Sequence, residues 1–190
     1  GADGLIILDQ WELEGSGVFP STGVGRLPGF THQGLVDATL TLDVLLESSA
    51  ASGLPFVRAA ERSLTPAGDV VTIDSWVGVP QQVKPTFGGA LQGNTLAWSQ
   101  SGAPHDLAVT VLQKPDETPV WRIMSPGAAK RVALPDPVTH GLIPWPKGEL
   151  VWLQWLARLP DFDWNAFTYR HTSSSYWTRW SFDQLSLKVQ

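Results

Sequence analysis

The chain has 190 residues, ten tryptophans, no cysteine and a formal net charge of −5. The lack of cysteine excludes disulfides and thiolate metal sites. No lysine or arginine cluster is present, which argues against a nucleic-acid or anionic-membrane partner. Glycine and proline are frequent but show no repeating period, so the composition favours a turn-rich globular protein over collagen-like or disordered classes.

The N-terminal segment, residues 1–78, predicts β-structure. Leu5–Leu13 and Val70–Val77 have the apolar pattern of strands. In Leu35–Leu45, apolar and polar residues alternate with a period of two, which is typical of a half-buried antiparallel strand. The Gly- and Pro-rich loop between Gly15 and Gly34 is long for a compact domain, and such loops are often functional.

Two stretches interrupt the strand patterns. Alanines cluster within Ser48–Ala60 and make it the only candidate helix, although Gly53-Leu54-Pro55 interrupts it. A break rich in proline and glycine extends from Val79 to Gly89 and suits a linker or a crossover between sheets. The sequence therefore predicts either two units, residues 1–78 and 79–190, or one fused domain.

Seven further strand patterns follow this break at short spacing, with turn-forming residues between them. Such spacing predicts an antiparallel Greek-key β-sandwich, and the predicted fold class is all-β. The patterns are Thr95–Gln100, Leu107–Gln113, Val120–Ser125, Arg131–Leu134, Glu149–Leu156, Phe167–His171 and Ser181–Val189.

A family resemblance rests on the order of these patterns. The segments that carry it are Leu96-Ala97-Trp98, Asp106–Val111, Val120–Ile123, Val132–Pro135 and Glu149–Trp155. Together they resemble a fibronectin type III or immunoglobulin-like sandwich, in which a tryptophan lies on the second strand. The resemblance covers about residues 80–158, and the end of the chain supplies a last strand. Two departures are the long connection from Arg158 to Thr178 and Leu150, where a tyrosine is commoner.

A second resemblance concerns the segment Phe162-Asp163-Trp164-Asn165-Ala166-Phe167. It is similar to the end of Trp-rich sandwiches in surface lipoproteins of predatory, GC-rich proteobacteria. This resemblance implies a bacterial extracytoplasmic location, in the cell envelope, on the outer-membrane surface or secreted, with a lipid anchor upstream of residue 1. No signal peptide is visible, and the longest apolar runs are too short to cross a bilayer.

The tryptophans divide into two groups. Trp76, Trp98, Trp121 and Trp152 follow strand patterns, which predicts core positions. Trp155 has the opposite strand parity to Trp152, so one of these two rings is expected to face outward.

The remaining group lies in loops or at loop–strand junctions beside polar residues. These rings fit a stacking platform for a sugar, with neighbouring polar side chains as hydrogen-bonding groups, but loop tryptophans also close the ends of sandwiches. The predicted ligand-binding set is Trp145, Trp164, Trp177, Trp180, Asp161, Asp163, Asn165 and Arg179.

No cofactor or metal site is predicted. Asp161, Asp163 and Asn165 alternate as cation ligands do, but Ala166 replaces the glycine that an EF-hand loop needs, and an Asx turn explains the pattern better. The four histidines lack metal-ligand spacing. No nucleophile elbow, phosphate loop or dinucleotide fingerprint is present.

Three functions follow from these patterns. The first is a non-catalytic binding module that recognises a glycan or a cell-surface protein through loop aromatics. The alternative is a structural or assembly domain of an envelope complex, whose exposed aromatics are buried by a partner protein. A glycoside-type hydrolase is the least favoured, because it would need Asp161 or Asp163 close to Glu149, and the sequence does not fix that separation.

Overall fold

The computed structural model describes residues 40–48, 50–64 and 72–190. Within these ranges the protein is all-β, as the sequence predicts, and its only helical segments are single 3-10 turns. The strands are β1 (Leu40–Glu47), β2 (Phe56–Leu64), β3 (Gln81–Lys84), β4 (Thr95–Ser99), β5 (Leu107–Gln113), β6 (Pro119–Pro126), β7 (Arg131–Ala133), β8 (Gly148–Arg158) and β9 (Arg179–Val189).

The strands form two antiparallel sheets that face each other as a sandwich. One sheet has six strands in the order β1-β2-β9-β8-β5-β6, and the other has three in the order β3-β4-β7. The chain changes sheet between β2 and β3, between β4 and β5, and on either side of β7. These crossovers bring strands that are distant in sequence together, as in Greek-key sandwiches.

The segment after β3 links the two sheets. The Gly88 N–H donates to the Ser186 carbonyl, and Ala90 forms a parallel bridge with Lys188. At the other half of β9, β2 pairs through the register Phe56↔Phe182. Strands β1 and β2 therefore extend the six-stranded sheet. The division of the chain at residues 79–89 remains a prediction.

The inner core lies between the two sheets. Trp98 of β4 and Trp152 of β8 are 2% and 0% exposed, and their ring centroids are 6.4 Å apart at an interplanar angle of 75°. Edge-to-face contacts of this kind add to the free energy of area burial. Gln154 is also buried there, and its Oε1 accepts hydrogen bonds from Thr110 Oγ1 and Trp152 Nε1 at 2.7 and 2.9 Å. This network satisfies polar atoms inside an otherwise apolar layer.

The opposite face of the six-stranded sheet carries a second apolar cluster. Leu107, Val109 and Val111 of β5 point to this outer face, and all are buried. The covering residues come from the connection between β8 and β9, including Phe162, Phe167 and Trp177. We call this cluster the roof cluster. Because of it, strand β5, which lies between β8 and β6, is buried on both faces, which explains its largely apolar sequence.

Three predicted elements differ from the structure. The candidate helix Ser48–Ala60 is wrong, because residues 50–53 form a turn and Phe56–Leu64 forms β2. Of Val70–Val77, only residues 72–77 are described, and Val77 forms an isolated bridge with Ala103. The predicted strand Phe167–His171 is wrong as well, because a 3-10 turn occupies Tyr169–Thr172.

The other predictions for the N-terminal segment fall on residues that the structure does not describe. They are the strand Leu5–Leu13, the loop Gly15–Gly34 and the first residues of Leu35–Leu45. The described end of the last segment belongs to β1, where exposed and half-buried residues alternate as the period of two predicts.

Candidate functional site

The connection between β8 and β9, residues 159–178, is the longest ordered loop of the second half and forms the roof loop. Three 3-10 turns shape it, at Trp164–Ala166, Tyr169–Thr172 and Ser174–Tyr176. Asp163, Thr168 and Ser173 precede the turns, and short polar residues at such positions bond to the first free N–H groups. The Thr168 N–H donates to His171 Nδ1 at 3.0 Å. The roof loop therefore has its own local hydrogen-bonded structure.

Aromatic contacts join these turns into one network. The Phe162 ring contacts Trp164 and His171, with centroid distances of 6.1 and 5.5 Å. Phe167 also contacts both of them, and it is stacked on Trp164 at 5.0 Å with an interplanar angle of 26°. His171 in turn contacts Tyr176 at 6.2 Å. The rings of Trp164 and Tyr176 are therefore packed against other aromatic rings of the roof loop.

Three rings of the roof loop face solvent. Trp164, Tyr169 and Tyr176 are 37%, 65% and 44% exposed. The Arg170 guanidinium lies over the Tyr176 ring, 5.7 Å from its centroid. The loop thus presents aromatic rings beside a cation. Phe162 and Phe167 pack against Trp164, and His171 packs against Tyr176.

Trp177 and Trp180 are buried, whereas a stacking platform for a ligand must be exposed. They are 4% and 5% exposed, and their ring centroids are 5.9 Å apart. Trp177 Nε1 donates to the His171 carbonyl at 2.8 Å, and the Arg58 guanidinium lies over the Trp180 ring. Both rings belong to the roof cluster. They are part of the core, which is the alternative that the sequence left open, and their burial does not favour stacking on a ligand.

Arg179 is also largely buried. Its guanidinium forms an ion pair with Glu61 of β2 and donates to the Thr178 carbonyl at 2.9 Å. A buried charge needs such partners, because removal from water is costly. Arg179 therefore fixes the start of β9 against β2 and has one face toward a neighbouring cleft.

The cleft lies at the same end of the sandwich as the roof loop. Its volume is about 460 Å³, and its lining is formed by Glu61, Asp74, Ser75, Arg158, Leu159, Pro160, Asp161, Thr178 and Arg179. Two predicted site residues, Asp161 and Arg179, thus lie in one cavity. Asp161 has a φ of +51°, a backbone conformation that non-glycine residues adopt only at some energetic cost.

Asp163 and Asn165 interact with each other. Asp163 Oδ1 accepts hydrogen bonds from Asn165 N and Nδ2 at 2.9 and 3.1 Å, which is the geometry of an Asx turn. Both side chains remain exposed beside Trp164. Within residues 40–48, 50–64 and 72–190, no group of histidine, aspartate and glutamate side chains has the arrangement of a metal site.

Trp145 is separated from the rest of the predicted set. It precedes β8, whereas the roof loop follows that strand, so the two lie at opposite ends of the sandwich. Its ring packs on Trp121 with a centroid distance of 5.6 Å. Trp145 is half-buried against the inner core, and its buried Nε1 has no hydrogen-bond partner among the described residues. It closes the opposite end of the inner core.

The carboxylate pair considered for glycoside hydrolysis is not brought together. Glu149 is the second residue of β8. Asp161 and Asp163 follow Arg158, the last residue of that strand. A strand of this length separates its ends by about 30 Å, whereas the two carboxylates of a glycosidase lie within about 10 Å. The length of β8 therefore argues against this pairing.

Sequence reasoning missed several residues of this region. Tyr169, Arg170 and Tyr176 belong to the exposed surface, and the density of aromatic residues after Phe162 could have indicated them. Glu61 and Asp74 of the cleft carried no such signal, because they are far from the roof loop in sequence.

Comparison with protein-family models, with curated proteins and with solved structures finds no match for this chain. In the part of the chain that the structure describes, no helix has the length and hydropathy needed to span a membrane.

Proposed function

We propose that this chain is a non-catalytic binding module that recognises a glycan or a cell-surface protein through the roof loop. The observation that carries the proposal is the exposed Trp164 ring, stacked on Phe167 at 5.0 Å. A ring held in this way loses little conformational entropy when a ligand stacks on it, so more of the contact energy remains as affinity.

The surroundings of Trp164 favour a glycan over a purely apolar ligand. Asp163 and Asn165 are exposed next to it in sequence, and Tyr169 and Arg170 are exposed on the next turn. Aromatic faces combined with hydrogen-bonding groups suit a sugar, which has both apolar C–H faces and hydroxyl groups. Tyrosine and tryptophan also provide large rigid contact areas at low entropic cost in protein-recognition surfaces.

The test is the substitution Trp164→Ala. We expect binding to the best ligand of a glycan array to weaken at least tenfold, while the free energy of unfolding changes by about 1 kcal/mol or less, because the ring is partly exposed. The matched control is Ile143→Ala, which removes an exposed apolar side chain at the other end of the sandwich. Equal binding by wild type and Trp164→Ala would contradict the proposal.

A second candidate function is an assembly domain that binds a partner protein. The loop between β7 and β8 exposes Val138, Leu142 and Ile143, which are 60%, 50% and 88% exposed. Clusters of exposed aliphatic side chains mark protein-interaction surfaces more often than sugar sites. Pull-down with Ile143→Ser would separate the two candidates: this variant should lose a protein partner but keep any glycan bound by Trp164.

We also infer a fibronectin type III-like arrangement and an extracytoplasmic location, with a lipid anchor or secretion as the route. The strand order supports the first part, because β3-β4-β7 pack against the block β6-β5-β8-β9, as strands A, B, E and C′, C, F, G do in that type of sandwich. Antibody labelling of intact cells would test the location. Labelling only after permeabilisation would overturn it.

A further inference from the structure

We propose that the cleft beside the roof loop is a second subsite of the same ligand surface and takes an uncharged sugar residue. This inference rests on the proposed function, of which it names the ligand class. The cleft is formed by β2, residues 74–75, the end of β8, the two ends of the roof loop and the start of β9. Its volume of about 460 Å³ is within the range of small-molecule sites.

The cleft has a charged, hydrogen-bonded wall and free polar groups at its rim. Arg179 and Glu61 neutralise each other in the wall. At the rim, the side chains of Asp74, Arg158 and Asp161 have neither a hydrogen bond nor an ion pair with any other described residue. All three are exposed. The rim therefore offers both acceptors and a donor to a ligand.

These groups favour an uncharged, hydroxylated ligand. Hydroxyl groups donate to carboxylates and accept from a guanidinium, so a sugar can use all three rim residues. Among the described residues, the two carboxylates of Asp74 and Asp161 outnumber the one guanidinium of Arg158 that has no carboxylate partner, and this excess of negative charge repels an acidic sugar.

The cleft and the Trp164 face are close together along the chain. Asp161 lines the cleft, and Trp164 begins the first 3-10 turn three residues later. One oligosaccharide can therefore place a terminal residue in the cleft and a neighbouring residue on Trp164. Two such contacts on one ligand reinforce each other, because the second contact is intramolecular.

Two residues of the cleft have a backbone conformation that allows their side chains to be removed without disturbing the fold. Ser75 and Asp161 both line the cleft and have φ values of +54° and +51°. Glycine adopts this conformation more readily than serine or aspartate. The double substitution Ser75→Gly/Asp161→Gly removes two rim side chains and relieves the backbone, so we expect an unfolding temperature within about 4 °C of the wild type.

The experiment uses the full chain on an array of neutral hexose oligosaccharides and their uronic-acid counterparts. We expect the wild type to prefer the neutral series. We expect the double variant to bind at least tenfold more weakly, and Asp161→Asn, which keeps an acceptor and tolerates the backbone conformation, to bind with an intermediate affinity. The matched control is Asn94→Gly, at a positive φ outside the cleft, which should bind like the wild type.

The outcomes separate this inference from the function on which it rests. If Trp164→Ala loses glycan binding but the double variant keeps it, the cleft is not a subsite, and the proposed function stands. A preference for the acidic series also overturns the cleft assignment. If the wild type binds no glycan in either series, both the cleft inference and the glycan part of the proposed function are wrong.

Discussion

The two faces of the six-stranded sheet are covered in different ways. Its inner face packs on a second sheet, whose strands satisfy their own backbone hydrogen bonds by pairing. Its outer face packs on the roof loop, which satisfies its backbone through capped 3-10 turns and a tryptophan–carbonyl bond. Both layers bury tryptophans to a similar degree, Trp152 at 0% and Trp177 at 4%.

This difference shows how one loop can serve both stability and recognition. Successive side chains of a strand point to opposite faces of the sheet. The face that points into the inner core is covered by the other sheet, so it offers no surface to a ligand. The roof loop does not have the period of two of a strand. It buries Trp177 and exposes Trp164 and Tyr176. We therefore expect the roof cluster to contribute to folding much as the inner core does, and its outer rings to contribute mainly to binding.

The largest effect is expected for Trp152→Ala in the inner core. The ring is fully buried, contacts Trp98 and donates to Gln154, so its removal leaves a cavity and an incomplete polar network. The expected loss of unfolding free energy is about 3–5 kcal/mol, measured by urea denaturation. Trp152→Phe should lose less, because it keeps most of the volume. A loss below about 1 kcal/mol for the alanine variant would contradict the assignment of the inner core.

For the roof cluster, Trp177→Ala tests whether the loop covers a true core layer. The ring is buried against Trp180 and bonded to the His171 carbonyl, and we expect a loss of about 3 kcal/mol. Urea denaturation followed by circular dichroism gives the measurement. If the loss resembles that of Trp164→Ala, the two faces of the sheet are not equivalent, and the roof loop is an attachment to an independently stable sandwich.

The smallest expected effect depends on pH and concerns His105. It is 4% exposed, and neither ring nitrogen has a hydrogen-bond partner among the described residues. Burial and the nearby Lys130 lower the pKa of His105 to about 4. The unfolded state therefore binds the proton more readily than the folded state. The stability that neutral His105 allows is fully present above pH 6.5 and is lost as the pH falls toward 4.

The measurement is urea denaturation at pH 7 and at pH 4.5. We expect the free energy of unfolding to be about 2 kcal/mol lower at pH 4.5 than at pH 7 because of His105. His105→Leu should remove this part of the pH dependence, because leucine does not titrate. If His105→Leu retains the full acid sensitivity, another group causes it.

The sequence predicted the strands of the sandwich well. The strand pattern Leu107–Gln113 has the same bounds as β5, and the pattern Glu149–Leu156 lies within β8. The opposite parity of Trp152 and Trp155 placed these rings on opposite faces, and they belong to the inner core and the roof cluster. These features depend on the period-two alternation of a strand, which is a local property of the sequence.

The sequence indicated a long connection from Arg158 to Thr178, but neither its packing on the outer face of the sheet nor the cleft, because tertiary contacts decide both. Ala59 and Ala60 suggested a helix, but they are buried in β2, where Ala59 pairs with Arg179 of β9. Tertiary packing overrides helix propensity in such cases. Likewise, the burial of Trp177 and the pairing of Arg179 with Glu61 depend on β2 lying next to β9. Strand order across a sandwich is set by contacts between segments distant in sequence, so no local pattern encodes it.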